Sequence, residues 1–190
     1  VIARKNIEEK GYSQAIQCIL SNGLEKLLEN KAETIIIAGM GGALTCKILR
    51  EGIEKLRTIK ELVLQPQSEV DFLRKFLEQI NFQIIKEKMI LDDEKYYLVI
   101  KAKNNNIEAS PKPLPEQSSK LDKEVYYLYG KFLLESKDPI LRQFLLSQKK
   151  ANKQIKDKLK ETNTENSRKR IVEINRQLVY IEEGLGYYKT

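Results

Sequence analysis

The residues of this chain best suited to chemistry begin at Gly39-Met40-Gly41-Gly42, which follow directly on the β-branched run Thr34-Ile35-Ile36-Ile37-Ala38 and precede a helical pattern. Residues without Cβ let a ligand approach the main chain, and the unpaired N–H groups of a first helical turn receive its polar atoms. Leu64-Gln65-Pro66-Gln67 closes a second apolar run. Its amide side chains can hydrogen-bond the edge of a planar base, as Asn or Gln does with adenine, although an ordinary turn has the same composition. Lys95-Tyr96-Tyr97 opens a later strand, where an aromatic can stack on a base and a lysine can meet a phosphate. An edge-strand aromatic pair is the plainer reading of those residues.

The glycine turn matches neither G-x-G-x-x-G nor G-x-x-x-x-G-K-[ST], which argues against a dinucleotide or P-loop site. As a cofactor loop on a first strand it lacks an acidic residue just upstream. A close-approach turn later in the sheet and a tight strand-to-helix connection remain as readings. The chain has no histidine, which removes Ser-His-Asp, Cys-His and His-metal chemistry together. Catalysis must rest on carboxylates, amides, backbone groups or a bound cofactor. Cys18 and Cys46 stand in helix-like stretches, with no spacing that suggests a metal site or a disulfide framework, and read as small core residues.

These residues are positioned by alternating strand-like and helix-like segments over 1–103, as in an α/β domain with a parallel sheet. Val1 to Ala3 reads as the end of a strand, Glu8 to Leu20 as a helix and Glu25 to Leu28 as a short one. The strand Thr34 to Ala38 leads to a helix from Ala43 to Leu56 with the stripe Leu44, Ile48, Leu49 and Ile53. A strand at Leu62 to Leu64 and a helix from Glu69 to Ile80 follow. Phe82 to Leu91 and Lys95 to Lys101 are strands joined by Asp92-Asp93-Glu94, a link that allows only an antiparallel hairpin.

Residues 104–118 are polar and proline-rich, with Pro111, Pro113 and Pro115, and read as a linker between the α/β domain and a helical domain over 119–190. Asp138 is an N-cap before Pro139, and that helix is expected to reach Glu161. The stripe Leu141, Phe144, Leu145, Ala151, Ile155 and Leu159 faces Ile171, Ile174, Leu178, Ile181 and Leu185, predicting an antiparallel, coiled-coil-like hairpin.

The formal net charge is +7, and from Glu116 onward 16 Lys and Arg stand against 11 Asp and Glu, so +5 of it lies in the helical part. Lys149, Lys150, Lys153, Lys156, Arg168, Lys169 and Arg170 cluster around the hairpin turn. They form either a solvated surface or an electrostatic handle for nucleic-acid phosphates. No apolar run approaches the roughly 20 residues a bilayer requires, and the expected location is cytoplasmic, with no metal and no membrane partner.

The order Ile37-Ala38-Gly39-Met40-Gly41-Gly42, Leu64-Gln65-Pro66, Leu73-Arg74, Asp92 to Tyr97 and a C-terminal helical hairpin resembles the bacterial TrmK family over nearly the whole chain. The resemblance implies a class I, Rossmann-like methyltransferase fold whose mainly parallel sheet ends in an antiparallel hairpin. It further implies S-adenosyl-L-methionine as cofactor, tRNA as partner, and methylation of ring nitrogen 1 of the adenine at tRNA position 22. Gly39, Met40, Gly41 and Gly42 would line cofactor and target-base pockets, Gln65 and Gln67 would orient the adenine, and Arg74, Lys95 and Tyr97 would join the basic cluster in holding RNA. Ser21-Asn22-Gly23-Leu24 resembles a Gly-Asn-Gly-Leu segment, making Asn22 and Gly23 candidates for the adenosyl group. Asn6 stands where an acid would bind the cofactor ribose.

The chain departs from that pattern in several places. The family's first strand, acidic glycine-containing loop and aspartate have no counterpart after Val1, a further strand expected between Leu20 and Ser21 has no residues to form it, and Gln67 replaces Asn. A non-catalytic nucleic-acid-binding protein on a methyltransferase scaffold is the alternative that these departures favour, and a helical protein-interaction module is a third. A monomer or weak dimer is expected.

Overall fold

A β-branched segment and a leucine-rich one pair at the centre of the chain because neither can bury its apolar face alone. In the computed structural model, which describes residues 2–105, 120–162 and 164–189, β1 (Thr34–Met40) lies parallel to β2 (Glu61–Pro66), with Ile35 opposite Leu62 and Ile37 opposite Leu64. β3 (Phe82–Asp92) and β4 (Lys95–Asn104) form the predicted hairpin, turning at Asp93 and Glu94, both at positive φ. β4 inserts antiparallel beside β2, giving the order β1-β2-β4-β3. The α/β class with a parallel pair ending in an antiparallel hairpin is as expected.

One face of the sheet, formed by Ile35, Ile37, Leu62, Leu64, Leu98, Ile100 and Ala102, is buried. α2 (Gly42–Glu51) and α3 (Val70–Gln79) close over it with Cys46, Leu49, Leu73, Phe76 and Leu77. The α2 segment is shorter than its apolar stripe suggested. Gly52 caps it, and a 3-10 turn at Lys55–Thr58 follows, while Leu44 and Ile53 remain exposed. On the opposite face Ile36 is 71% exposed.

The residues before β1 differ most from expectation. Ile2–Glu9 form a helix, α1, rather than a strand end followed by a later helix, and it stops at Gly11, whose φ is +72°. Residues 12–33 make turns, including Glu25-Lys26, so the predicted helices at Glu8 to Leu20 and Glu25 to Leu28 are absent, and half-buried Cys18 lies on irregular chain. An apolar count over a short window cannot supply the continuous face that stabilises a helix.

The stretch 104–118 starts differently from a linker. Asn104 ends β4, is 1% exposed and donates its side-chain N–H groups to the carbonyls of Leu56 and Ile59. Pro111, Pro113 and Pro115 lie outside the described residues. α4 (Lys120–Tyr129) runs along α3, α5 (Lys131–Glu135) reaches β3, and their Val125, Leu133 and Leu134 share the core of the sheet.

α6 (Pro139–Thr162) and α7 (Glu165–Gly186) form the predicted antiparallel pair. Asp138 Oδ1 accepts the N–H groups of Ile140 and Leu141, and Thr164 Oγ1 caps α7 by accepting from Ser167. The α7 seam, Ile171, Ile174, Leu178, Ile181 and Leu185, is at least half buried. On α6 the seam passes through Leu141, Leu145, Asn152 and Leu159, while Ala151 and Ile155 are exposed. A heptad register fixed by Leu145 admits Asn152 and Leu159, and it rotates Ile155 away from α7.

Candidate active site

Two strand-to-helix turns meet beyond the C-terminal edge of the parallel pair. The first runs from Gly39 to Gly42 and the second from Gln65 to Glu69. Gly39 N–H donates to Gln65 Oε1 at 2.8 Å, Gln67 N–H to the Met40 carbonyl at 2.9 Å and Gly42 N–H to the Ser68 carbonyl at 2.9 Å. Ala43 N–H donates to Glu69 Oε2 at 3.2 Å. The turns therefore behave as one unit.

Glycine is required by this junction. A Cβ on Gly42 would come 2.4 Å from the Glu69 carbonyl oxygen, and Gly39 holds φ +76°, which a side chain disfavours. At Gly39 the nearest atom to such a Cβ is Gln67 Nε2 at 4.0 Å. The main chain at Gly39 and Met40 is thus open on the exposed side, with the Met40 side chain 38% exposed at its rim.

Gln65 has a fixed polarity. A backbone N–H can donate only to the amide oxygen, so Oε1 is taken by Gly39 and the NH2 end remains as donor. The face of β2 that carries Val63 and Gln65 continues onto β4 at Lys101 and Tyr97, as the pairing of Val63 with Lys101 shows. Tyr97 is half-buried there, and Lys95 is exposed at the hairpin, opposite Asp92. Tyr96 points to the other face, where its ring meets Phe144 of α6 edge-on at 5.2 Å.

Other predicted site residues lie apart from this junction. Gly23 sits against α2 at Ile48, about 9 Å along the helix from Gly42 at 1.5 Å per residue, and Asn22 is exposed in the same turn. Asn6 is exposed on α1. Arg74, expected at an RNA surface, is 4% exposed: Nε and Nη2 bind Glu87 Oε1 at 2.9 and 2.8 Å, and Nη1 donates to the carbonyls of Tyr127 and Leu128. Burial pulls its pKa below the ordinary arginine value, with Glu87 opposing. Its charge is spent inside the protein.

The basic cluster divides by pairing. Lys149 binds Glu182 at 2.6 Å, Lys169 binds Glu165 at 2.7 Å and Arg170 binds Glu173 at 2.5 Å. Lys150 and Lys153 are exposed and Lys156 is half-buried along the seam, while Arg168, also exposed, is engaged within the protein. Among the described residues no group of acids and cysteines is arranged to hold a metal ion, and no helix is long and apolar enough to cross a membrane.

Sequence reasoning missed Glu69. Its position before an apolar helical run marks it as the start of its own helix, and it is the N-cap of α3 at φ +50°, but its side chain turns away to accept the Ala43 N–H of α2.

Residues 1–183 match the model of the TrmK family, described as tRNA (adenine(22)-N(1))-methyltransferase. The Bacillus subtilis enzyme of that name is 25% identical over 186 residues, 97% of this chain and 75% of that enzyme. Its solved structure superposes with a TM-score of 0.77 over 96% of this chain and 76% of that one. A Listeria monocytogenes protein of uncharacterised function gives a TM-score of 0.82 at 27% identity, covering 96% of this chain and 76% of its own. A Streptococcus pneumoniae protein solved in complex with S-adenosyl-L-methionine gives 0.75 at 28% identity, covering 96% and 74%.

Proposed function

The chain belongs to the tRNA (adenine(22)-N(1))-methyltransferase family, TrmK, and from that premise we propose how its residues serve the reaction. The protein is an S-adenosyl-L-methionine-dependent enzyme that methylates ring nitrogen 1 of an adenine in tRNA. The alternative of a non-catalytic scaffold is set aside. The observation that carries the residue assignment is the tied junction of Gly39–Gly42 with Gln65–Glu69 at the end of the parallel strands.

The residues present fit the cofactor at that junction, because the positive φ of Gly39 and the lack of a Cβ leave main chain open to close approach. Gly39, Met40, Gly41 and Gly42 would hold it there, with Asn22, Gly23 beside Ile48 of α2, and Asn6 of α1 as its further contacts. When bound, the cofactor supplies a methyl group activated by a sulfonium. The chain's own contribution is alignment, since a weak ring nucleophile gains most from being held at the right distance and angle.

Gln65 orients the base. One N–H of its NH2 makes a long hydrogen bond to the Pro66 carbonyl at 3.4 Å, and the second donates to a ring acceptor other than the reacting nitrogen, N3 or N7, which leaves the lone pair of nitrogen 1 uncovered. Gln67, tied through its N–H to Met40, borders the same space, and Tyr97 shares the face of Gln65 as a stacking surface. Nitrogen 1 is normally engaged in Watson–Crick pairing, so the target base must be unpaired or displaced first. Lys150, Lys153 and Lys156, with Lys95 at the sheet, hold the tRNA backbone, and Lys149, Arg168, Lys169 and Arg170 add to the field while partnered. The enzyme works in the cytoplasm on this reading, as a monomer or weak dimer.

The test is transfer of labelled methyl groups to an unmodified tRNA transcript, with the modified position read by primer extension. Transfer that is lost in Gln65→Ala while cofactor binding by calorimetry persists is the expected result. Wild-type transfer in Gln65→Ala overturns its role.

A further inference from the structure

The junction contains a carboxylate that neither the family resemblance nor the base-orienting reading uses. Helix α2 begins without a side-chain cap of its own, because Gly41 occupies the N-cap and a Cβ there would come 2.9 Å from Ser68 Oγ. The N–H of Ala43 is satisfied instead from the neighbouring turn, by Glu69 Oε2. Glu69 does this from φ +50°, a conformation that residues other than Gly, Asn and Asp seldom adopt. A non-glycine residue held in the left-handed region beside a ligand-facing turn is the kind of outlier found where geometry is being enforced. Among the described residues the other carboxylate oxygen makes no further hydrogen bond.

The neighbouring ties do not make this contact redundant. Gly39, Met40 and Gly42 are each bonded to the second turn, but all three bonds lie before the helix proper or at its first residue. Among the described residues the Glu69 bond is the tie that reaches past Gly42, to the second residue of α2. Releasing it leaves the Gly42–Ser68 bond as the tie nearest the helix start among the described residues, so the Gly41–Ala43 segment can tilt against Gln65.

We propose that Glu69 is a positioning residue for methyl transfer, holding the Met40–Gly42 turn in register with Gln65 by accepting the Ala43 N–H. The proposal rests on the methyltransferase reading above. It assigns Glu69 no contact with substrate or cofactor. What matters is a fixed acceptor at that point, so the amide oxygen of glutamine should replace the carboxylate.

The test compares the full-length protein with E69G and E69Q. Glycine removes the carboxylate while tolerating positive φ, so E69G should fold with an unchanged or slightly higher Tm. In E69G the Ala43 amide should exchange with solvent about tenfold faster by NMR, and kcat should fall about tenfold or more with KM for a tRNA transcript within twofold of wild type. In E69Q both should return to within about threefold of wild type, because the amide oxygen accepts the same N–H. Unchanged Ala43 exchange in E69G, a loss confined to KM, or an equal loss of kcat in both variants overturns the proposal. Absence of methyl transfer by the unaltered protein overturns the methyltransferase reading instead, and Ala43 exchange still reports whether the tie exists.

Discussion

The Arg74 guanidinium and the Glu87 carboxylate meet at 2.8 Å with side chains 4% and 1% exposed, joining α3 to β3 in the interior. The same guanidinium holds the Tyr127 and Leu128 carbonyls near the end of α4, so one buried pair ties the helical region to the sheet. Removing one partner strands a buried charge, which costs about 3–5 kcal/mol. Arg74→Ala and Glu87→Ala should each lower the unfolding free energy measured in urea by that amount, and the paired replacement Arg74→Met with Glu87→Leu should recover only part of it, because the Tyr127 and Leu128 carbonyls still lose their donor. Single variants within about 0.5 kcal/mol of wild type would contradict a paired, desolvated guanidinium.

Two glycines of the site should respond to alanine in different ways. Gly42→Ala drives a Cβ against the Glu69 backbone and should destabilise the fold by about 3 kcal/mol. Gly39→Ala has room for its methyl and its cost comes mainly from positive φ, about 1–2 kcal/mol. It should still fold, yet bind S-adenosyl-L-methionine at least about tenfold more weakly by calorimetry. Cofactor affinity unchanged in Gly39→Ala would show that the ligand approaches elsewhere.

The tRNA field can be dissected by salt. Replacing Lys150 and Lys153 with alanine should weaken binding uniformly across tRNAs and lower the slope of log K against log salt by about one for each phosphate no longer neutralised. Lys169→Ala and Arg170→Ala remove cations already balanced by Glu165 and Glu173, and should change the slope less. Equal slopes for wild type and the Lys150/Lys153 variant in a filter-binding series would remove those lysines from the interface.

Alkaline pH should unfold the protein cooperatively. Burial raises the Cys46 thiol to about 11 and the Tyr188 phenol to about 12, and it is also the main cause of the upward shifts of Tyr127, Tyr129 and Tyr187. Each group keeps its proton longer when folded than when unfolded. The stability tied to these neutral forms is therefore whole below about pH 9 and declines as pH rises through about 9 to 12. Of the nine tyrosines, these four should titrate after the others, seen as a late step in phenolate absorbance. At pH 8 a thiol reagent should react with Cys18 and spare Cys46, which is 1% exposed.

The sheet, the hairpin at Asp93-Glu94, the α6–α7 pair and the glycine turn were all legible in the chain. Strand patterning, turn residues and heptad spacing are local signals, and so is the Asp138 cap. The joint order of Gly39–Gly42, Gln65, Arg74 and Tyr97 carried the family as well. The region before β1 is not legible in the chain because turns there are held by contacts such as Leu24 against Gly52, which periodicity does not encode.

What lay beyond the sequence was the pairing of distant groups. Nothing local distinguishes Arg74, a cation spent on Glu87 in the core, from Lys153, a cation left at the surface. Nor does the chain reveal that Gln65 turns its oxygen to Gly39, or that the Glu69 side chain caps a helix other than its own. A sequence sets each residue's chemistry and its place along a helix or strand. Partnership across elements depends on which turns come to lie side by side, and here parallel β1 and β2 decided that by bringing their C-terminal ends to the same edge.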